Sequence, residues 1–302
     1  MRDTGTLATR HFSLAAEGSV SALQFGYTGA MVPFLHLGPV TIPSYGLMVA
    51  LGMLSGYYML AADLARRGIA PKDSGVAEVF VAIPCLAGIL GAKIYSVLES
   101  PRELFADPLG QIFSRYGLTW TGGLIAGGAT FLWLARRKKI PLLDMLDAGS
   151  PGLALGYAFG RMGCLLAGDG DYGIPTSLPW GMSFPNGLVP TTERVHPTPI
   201  YEILGACAIA WLLWRRGARQ VALSKARSEL RPASSEHGAR LQPMLARGSV
   251  FAAYLVLTGV ARFLVEFIRI NPRVLFGLTN AQIASAASVL GGAALWLVRR
   301  RD

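Results

Sequence analysis

Ionisable side chains inside long apolar runs are the residues most able to do chemistry in this sequence, and six stand out: Glu78, Lys93, Arg161, Glu202, Arg262 and Glu266. A charge at membrane depth is costly, so it normally faces a bundle interior or a cavity and marks function. Arg262, Glu266 and Arg269 follow one another at i, i+4 and i+7, which puts a cation, an anion and a cation on one helix face. The bland reading is an internal salt bridge that lets Arg262 sit in a bundle. Taken with Arg161, however, two arginines share one good internal partner, and the positive charge left over calls for an external anion. Guanidinium forks match phosphate oxygens bidentately, and at this depth a phospholipid head group is the anion at hand.

The elements that must hold these charges are membrane helices. Only 15% of the 302 residues are charged, 52% are hydrophobic and 36 are glycine, against about 25% charge in soluble domains, and glycine is frequent in membrane helices. A soluble enzyme is thereby excluded. The net charge of +10 does not indicate nucleic acid, because the arginines fall in short clusters between apolar runs. A crossing helix needs about 20 apolar residues, and candidate runs lie at 45–65, 76–98, 118–135, 142–168, 198–214, 249–268 and 279–298. The fold class predicted is an all-α polytopic membrane protein of seven transmembrane helices. Most of the 28 lysines and arginines fall in alternate connections: Arg66, Arg67 and Lys72; Arg136 to Lys139; Arg215 to Arg247; and Arg299 to Arg301. The positive-inside rule then places the N-terminus outside and the C-terminus in the cytoplasm. With that topology Lys93, Arg161, Glu202, Arg262 and Glu266 all gather in the outer leaflet zone, together with Tyr45 and the Thr121-Gly122-Gly123 step. Asp144 and Asp147 read as ordinary helix-start residues near the inner surface.

Residues 1–37 read as a loosely ordered N-terminal extension without a cleavable signal sequence, and 38–302 as the seven-helix domain. Within it, 217–247 is rich in Arg, Ser and Ala with little apolar content and reads as a disordered cytoplasmic loop. Residues 169–197, with several prolines, Trp180 and Phe184, read as a small external cap. Gly168-Asp169-Gly170-Asp171-Tyr172-Gly173 ends the fourth run in a glycine-rich turn; it lacks the distal Glu of an EF-hand, so capping and loop hydrogen bonds are expected of its carboxylates and no metal. Cys85, Cys164 and Cys207 lie in apolar runs without metal or redox spacing and read as packing residues.

In order and spacing, several motifs resemble the bacterial phosphatidylglycerol-prolipoprotein diacylglyceryl transferases: Tyr45-Gly46, Gly122-Gly123-Leu124, Gly160-Arg161-Met162-Gly163-Cys164 running into the Gly-Asp-Gly-Asp-Tyr-Gly turn, His196-Pro197 followed by Tyr201-Glu202, and Arg262-x-x-x-Glu266-x-x-Arg269. The resemblance implies a transferase of the bacterial inner membrane that moves the diacylglyceryl group of phosphatidylglycerol to the lipobox cysteine thiol of a preprolipoprotein, with no metal or cofactor. Arg161 and Arg262 match the family's essential arginines, set to stabilise charge developing on the leaving phosphate. Tyr45, Glu202, Glu266 and Arg269 match polar residues around its cavity, and Gly122, Gly123, Gly163 and Asp169 fall on substrate-binding segments.

Two departures bear on mechanism. Many members carry His before the Gly-Gly step, a proposed base for the thiol, where this chain has Thr121, and Asn where it has Cys164 and Ala167. Two readings of the proton therefore stand side by side: His196 as the general base, or a thiol ionised by the arginine field with Tyr45 or water taking the proton. The rival function classes are a lipid-binding or lipid-transporting protein using the same arginine cavity without chemistry, and a paralogue with a different acceptor. No internal repeat of the transporter kind is seen.

Overall fold

The computed structural model describes residues 31–101, 104, 107–113, 119–229 and 247–301. A short hairpin, β1 (Phe34–Leu37) and β2 (Val40–Pro43), leads into α1 (Ser44–Arg66). There follow α2 (Val76–Glu99), a short α3 (Pro108–Phe113), α4 (Trp120–Arg137) and α5 (Leu142–Ala167). The strands β3 (Met182–Phe184) and β4 (Thr191–Val195) form a second hairpin before α6 (Thr198–Glu229). After α7 (Ser249–Val265) comes a 3-10 turn (Glu266–Ile268), and a third hairpin of β5 (Arg273–Leu275) and β6 (Leu278–Thr279) precedes α8 (Asn280–Arg301).

The chain is mostly helical, and the spans Ser44–Arg66, Val76–Glu99, Ser249–Ile268 and Asn280–Val298 are long and apolar enough to cross a bilayer. On α2, Leu86, Leu90, Ile94 and Leu98 are each more than half exposed, an apolar stripe suited to lipid tails and not to water. The helices associate chiefly as antiparallel pairs, α1 with α5, α2 with α4 and α7 with α8. Small residues set the spacing in each, as expected where lipid offers no hydrophobic drive for helices to meet. A Cβ at Gly152 would lie 3.1 Å from the Gly56 carbonyl, one at Gly91 2.6 Å from the Gly122 carbonyl, and one at Gly292 2.7 Å from the Ala252 carbonyl.

One apolar cluster, including Leu60, Leu64, Phe80, Leu134 and Met145, ties the α1–α5 and α2–α4 pairs together at the Arg66 end. At the opposite end the chain makes short hairpins instead of bare loops. The Tyr172 and Phe184 rings stack 4.1 Å apart beside Val195 and form a small core between α5 and α6.

Three sequence expectations change here. The proposed boundary at residue 38 cuts the β1–β2 hairpin, in which Leu37 pairs with Val40, while residues 1–30 lie outside the described part. The proposed loop at 217–247 is helical as far as Glu229, with 230–246 outside the described residues. The Ala, Arg, Gln, Leu and Lys there are strong helix formers, and Arg66 anchors the stretch by donating to the Trp214 carbonyl at 3.2 Å and stacking on its ring. Asp147 is no surface helix-start residue: it is buried, and its carboxylate accepts from the Gly248 and Phe251 amides at 2.9 and 2.8 Å. That caps the positive N-terminal end of α7 with a negative charge.

Candidate active site

Six charged side chains meet at the end of the bundle where the hairpins lie. Arg161 comes from the penultimate turn of α5, Asp171 from the turn that follows, Glu202 from the start of α6, Arg262 from the end of α7, Glu266 from the 3-10 turn and Arg269 from just beyond it. Gly168 closes α5 in the left-handed region at φ +60°, its amide bonding the Cys164 carbonyl at 2.9 Å, and turns the chain back towards the bundle. The strand-like segment after Asp171 is then held from two sides: Ile174 N–H donates to Ile268 at 2.8 Å and Gly173 N–H to His196 at 2.9 Å. A Cβ on Gly173 would lie 2.7 Å from both the His196 Cβ and the Ile268 carbonyl, so only glycine lets these backbones close up. Thr198 donates its hydroxyl to the Asp171 carbonyl at 2.6 Å.

The ion pairs form a closed network. Arg161 Nη1 bonds Asp171 Oδ2 and lies 3.5 Å from Glu202 Oε2. Arg262 reaches Glu202 Oε1 at 3.2 Å and Glu266 Oε2 at 2.9 Å. Arg269 bonds Asp171 Oδ1 and Glu202 Oε2, the latter at 3.3 Å. Tyr157, one turn before Arg161, donates its hydroxyl to Glu202 Oε1 at 2.6 Å while its ring lies under the Arg161 guanidinium. Glu266 also accepts from Asn271 and, at 2.9 Å, from Thr279. Thr279 is itself fixed by a reciprocal capping box with Gln282 at the start of α8.

Three guanidiniums and three carboxylates balance, which corrects the expectation of unpaired positive charge: Glu202 serves all three arginines, and Asp171 joins the cluster instead of merely closing its turn. The charges differ in access. Glu266 and Glu202 side chains are 0% and 3% exposed, whereas Arg161 and Arg262 are 19% and 27% exposed. Among the described residues the hydrogen bonds and ion pairs of Arg161 all run through Nη1. Burial works to raise the Asp171 carboxyl, but the Arg269 and Arg161 guanidiniums outweigh it and hold it below its ordinary value, so it is ionised through the neutral range.

The remaining predicted residues divide. Tyr45 packs on Gly163, where a Cβ would lie 3.0 Å from the tyrosine ring, and is within electrostatic reach of Arg161, Asp169 and Asp171. Asp169 accepts from the Asp171 amide at 3.3 Å. Cys164, Asp169 and Asp171 bring three potential ligand atoms within 4.8 Å of one another, yet the Asp171 carboxylate is already shared between two guanidiniums. Gly122 and Gly123 belong to the α2–α4 contact, facing the Gly91 and Gly88 carbonyls, and Thr121 is an exposed residue one position earlier. His196 is engaged in the cap: its Nδ1 lies 3.2 Å from the Tyr201 hydroxyl, which accepts from Trp180 Nε1 at 2.8 Å. Sequence reasoning passed over Tyr157, Asn271 and Thr279. The four-residue step from Tyr157 to Arg161 and the Thr279-x-x-Gln282 box were the signals available.

Comparison with known proteins bears on this geometry. The family model described as prolipoprotein diacylglyceryl transferase matches residues 33–298. The phosphatidylglycerol–prolipoprotein diacylglyceryl transferase of Clostridium tetani is 32% identical, over 80% of this chain and 87% of its own length. Its namesake in Geobacillus kaustophilus is 31% identical over 88% and 92%, and that of Gloeobacter violaceus 29% identical over 93% and 97%.

Proposed function

The chain belongs to the prolipoprotein diacylglyceryl transferase family, and we propose that its arginine cluster holds the phosphate of phosphatidylglycerol while the diacylglyceryl group passes to the lipobox cysteine thiol of a preprolipoprotein. It is a multi-pass membrane transferase acting in lipoprotein maturation. The observation that carries the assignment of the site is the partial exposure of Arg161 and Arg262, at 19% and 27%, in a cluster whose Glu202, Glu266 and Arg269 are buried.

In the reaction the thiolate sulfur attacks the glyceryl carbon bonded to the phosphate oxygen. The carbon–sulfur bond forms, the carbon–oxygen bond breaks, and its electron pair stays on the phosphate. A monoanionic thiolate and a monoanionic phosphodiester thus become a neutral thioether and a glycerol phosphate carrying both charges. Arg161 and Arg262 face the oxygen on which the second charge appears, and guanidiniums fixed in advance stabilise it without reorganising. Glu202, Glu266 and Arg269 fix the arginines, with Tyr157 bracing Glu202. The thiol proton leaves to water beside Tyr45, and His196 serves the cap. The site is placed at the outer face of a bacterial inner membrane, with seven crossings, the N-terminus outside and the C-terminus inside, on the distribution of Lys and Arg along the chain.

Purified protein incubated with phosphatidylglycerol and a lipobox peptide tests the reading. The peptide should gain the mass of a diacylglyceryl group, and one equivalent of glycerol phosphate should appear. Lipid binding without peptide modification would instead make the protein a lipid carrier.

A further inference from the structure

Asp171 is the most exposed carboxylate of the cluster. Its side chain is 30% exposed, against 3% for Glu202 and 0% for Glu266. It sits on a turn preceded by Gly168 and Gly170, both in the left-handed region at φ +60° and +92°. It also spans the mouth of the cluster, one oxygen on Arg161 Nη1 and the other on Arg269 Nη2, so a carboxylate already fills a bidentate anion seat between two guanidiniums. With Asp171 seated, the three arginines and three carboxylates cancel. With it swung out to solvent, Glu202 and Glu266 leave a single net positive charge.

We propose that Asp171 is a displaceable stand-in for the lipid phosphate and thereby sets the charge of the anion the site will hold. The idea rests on the phosphate-site reading given above and adds a specificity residue to it. A phosphodiester carries one negative charge and exchanges for the Asp171 carboxylate one for one, leaving the cluster neutral. Once the carbon–oxygen bond has broken, the phosphomonoester carries a second charge and the balance is lost. Asp171 returning to Arg161 and Arg269 then displaces the product. The exchange moves only the side chain, because the Asp171 backbone stays fixed by the Thr198 hydroxyl on its carbonyl and by the bonds of Gly173 and Ile174 to His196 and Ile268.

Asp171→Asn keeps the side-chain shape and removes the charge, and Asp171→Ser is a second neutral replacement. The full-length protein is assayed in detergent for peptide modification, with glycerol phosphate and glycerophosphoglycerol as soluble inhibitors of the two charge classes. With a charge-assisted competitor gone, glycerol phosphate should inhibit the Asn variant about tenfold more strongly. Inhibition by the phosphodiester should strengthen less, and kcat and KM for phosphatidylglycerol should fall together as product leaves slowly. Asp171→Glu, which retains the charge, should keep the wild-type ratio of the two inhibition constants. Unchanged or weakened glycerol phosphate inhibition in the neutral variants would overturn the proposal, as would failure of both to accumulate in the membrane, which would make the carboxylate a structural ion pair. A wild-type protein that modifies no peptide would sink the transferase reading itself, an outcome separate from any difference between variants.

Discussion

Glu266→Gln is the most searching substitution in the cluster, because its size is unchanged and its chemistry inverted. The native carboxylate accepts from Asn271 and Thr279 on one oxygen, while the other is ion-paired with Arg262 Nη2 at 2.9 Å and has Arg269 Nε 3.7 Å away. All of these neighbours are donors. A glutamine must point its NH2 either at Asn271 and Thr279 or at the Arg262 guanidinium, so a donor faces a donor in a side chain with no exposed surface. Breaking a buried pair by removing one partner costs about 3–5 kcal/mol. Arg262 keeps its 3.2 Å contact to Glu202, which puts the expected cost at the lower end, about 3 kcal/mol. The loss should divide between stability and function: a lower midpoint in detergent thermal unfolding, and about tenfold to a hundredfold lower kcat/KM as Arg262 loses its orientation, short of the 10²–10³ expected for removing a stabilising donor outright. Wild-type unfolding together with wild-type kcat/KM would refute the geometry of the cluster. Lowered stability with full activity would leave the cluster standing and remove Glu266 from the positioning of Arg262.

Arg161→Ala and Arg262→Ala should each abolish peptide modification while the protein still accumulates, and lysine should restore little because a point charge cannot replace the planar fork; normal lipoprotein modification with Arg161→Ala sinks the phosphate assignment. Activity should rise towards pH 8, tracking a thiol of pKa about 8.5, and His196→Gln should leave that profile in place; a rise near pH 6 to 7 that disappears in His196→Gln would instead make the imidazole the base. Gly173→Ala forces apart the backbones that set Asp171 against Arg269, and should lower activity at least as far as Glu266→Gln; an active, stable alanine variant contradicts the close approach. A cysteine at position 227 should be labelled by an impermeant reagent only in inverted vesicles and one at 180 only in intact cells, and labelling of 227 from outside reverses the orientation and moves the site to the wrong face.

The site was legible in the sequence to the extent that the cost of a membrane charge makes it legible. Arg161, Glu202, Arg262 and Glu266 are informative because nothing but function or pairing keeps them in apolar runs, and the i, i+4, i+7 spacing of Arg262, Glu266 and Arg269 maps directly onto one face. The partners of Arg161 were hidden because they depend on tertiary return. Asp171 lies only ten residues on, but it meets Arg161 and Arg269 through a left-handed Gly168 and the backbone contact of Gly173 with Ile268, and no periodicity records such a path. The same limit explains Gly122 and Gly123. A Gly-Gly step serves a substrate or a neighbouring helix equally well, and here it meets the Gly91 and Gly88 carbonyls across the α2–α4 pair.

The internal balance of the cluster changes what its arginines are for. Were Arg161 and Arg262 unpaired, phosphate would bind to bare charge and the tightest ligand would be the most highly charged one, which in this reaction is the product. By surrounding the three guanidiniums with Glu202, Glu266 and Asp171, the fold cancels their charge, leaves about one net positive charge for an anion that takes the place of Asp171, and holds the donors in geometry through Tyr157, Asn271 and Thr279. On the proposed phosphate reading, the binding advantage is thereby kept for the moment at which charge builds on the leaving oxygen, and an interaction that strengthens only there raises kcat without tightening the ground state.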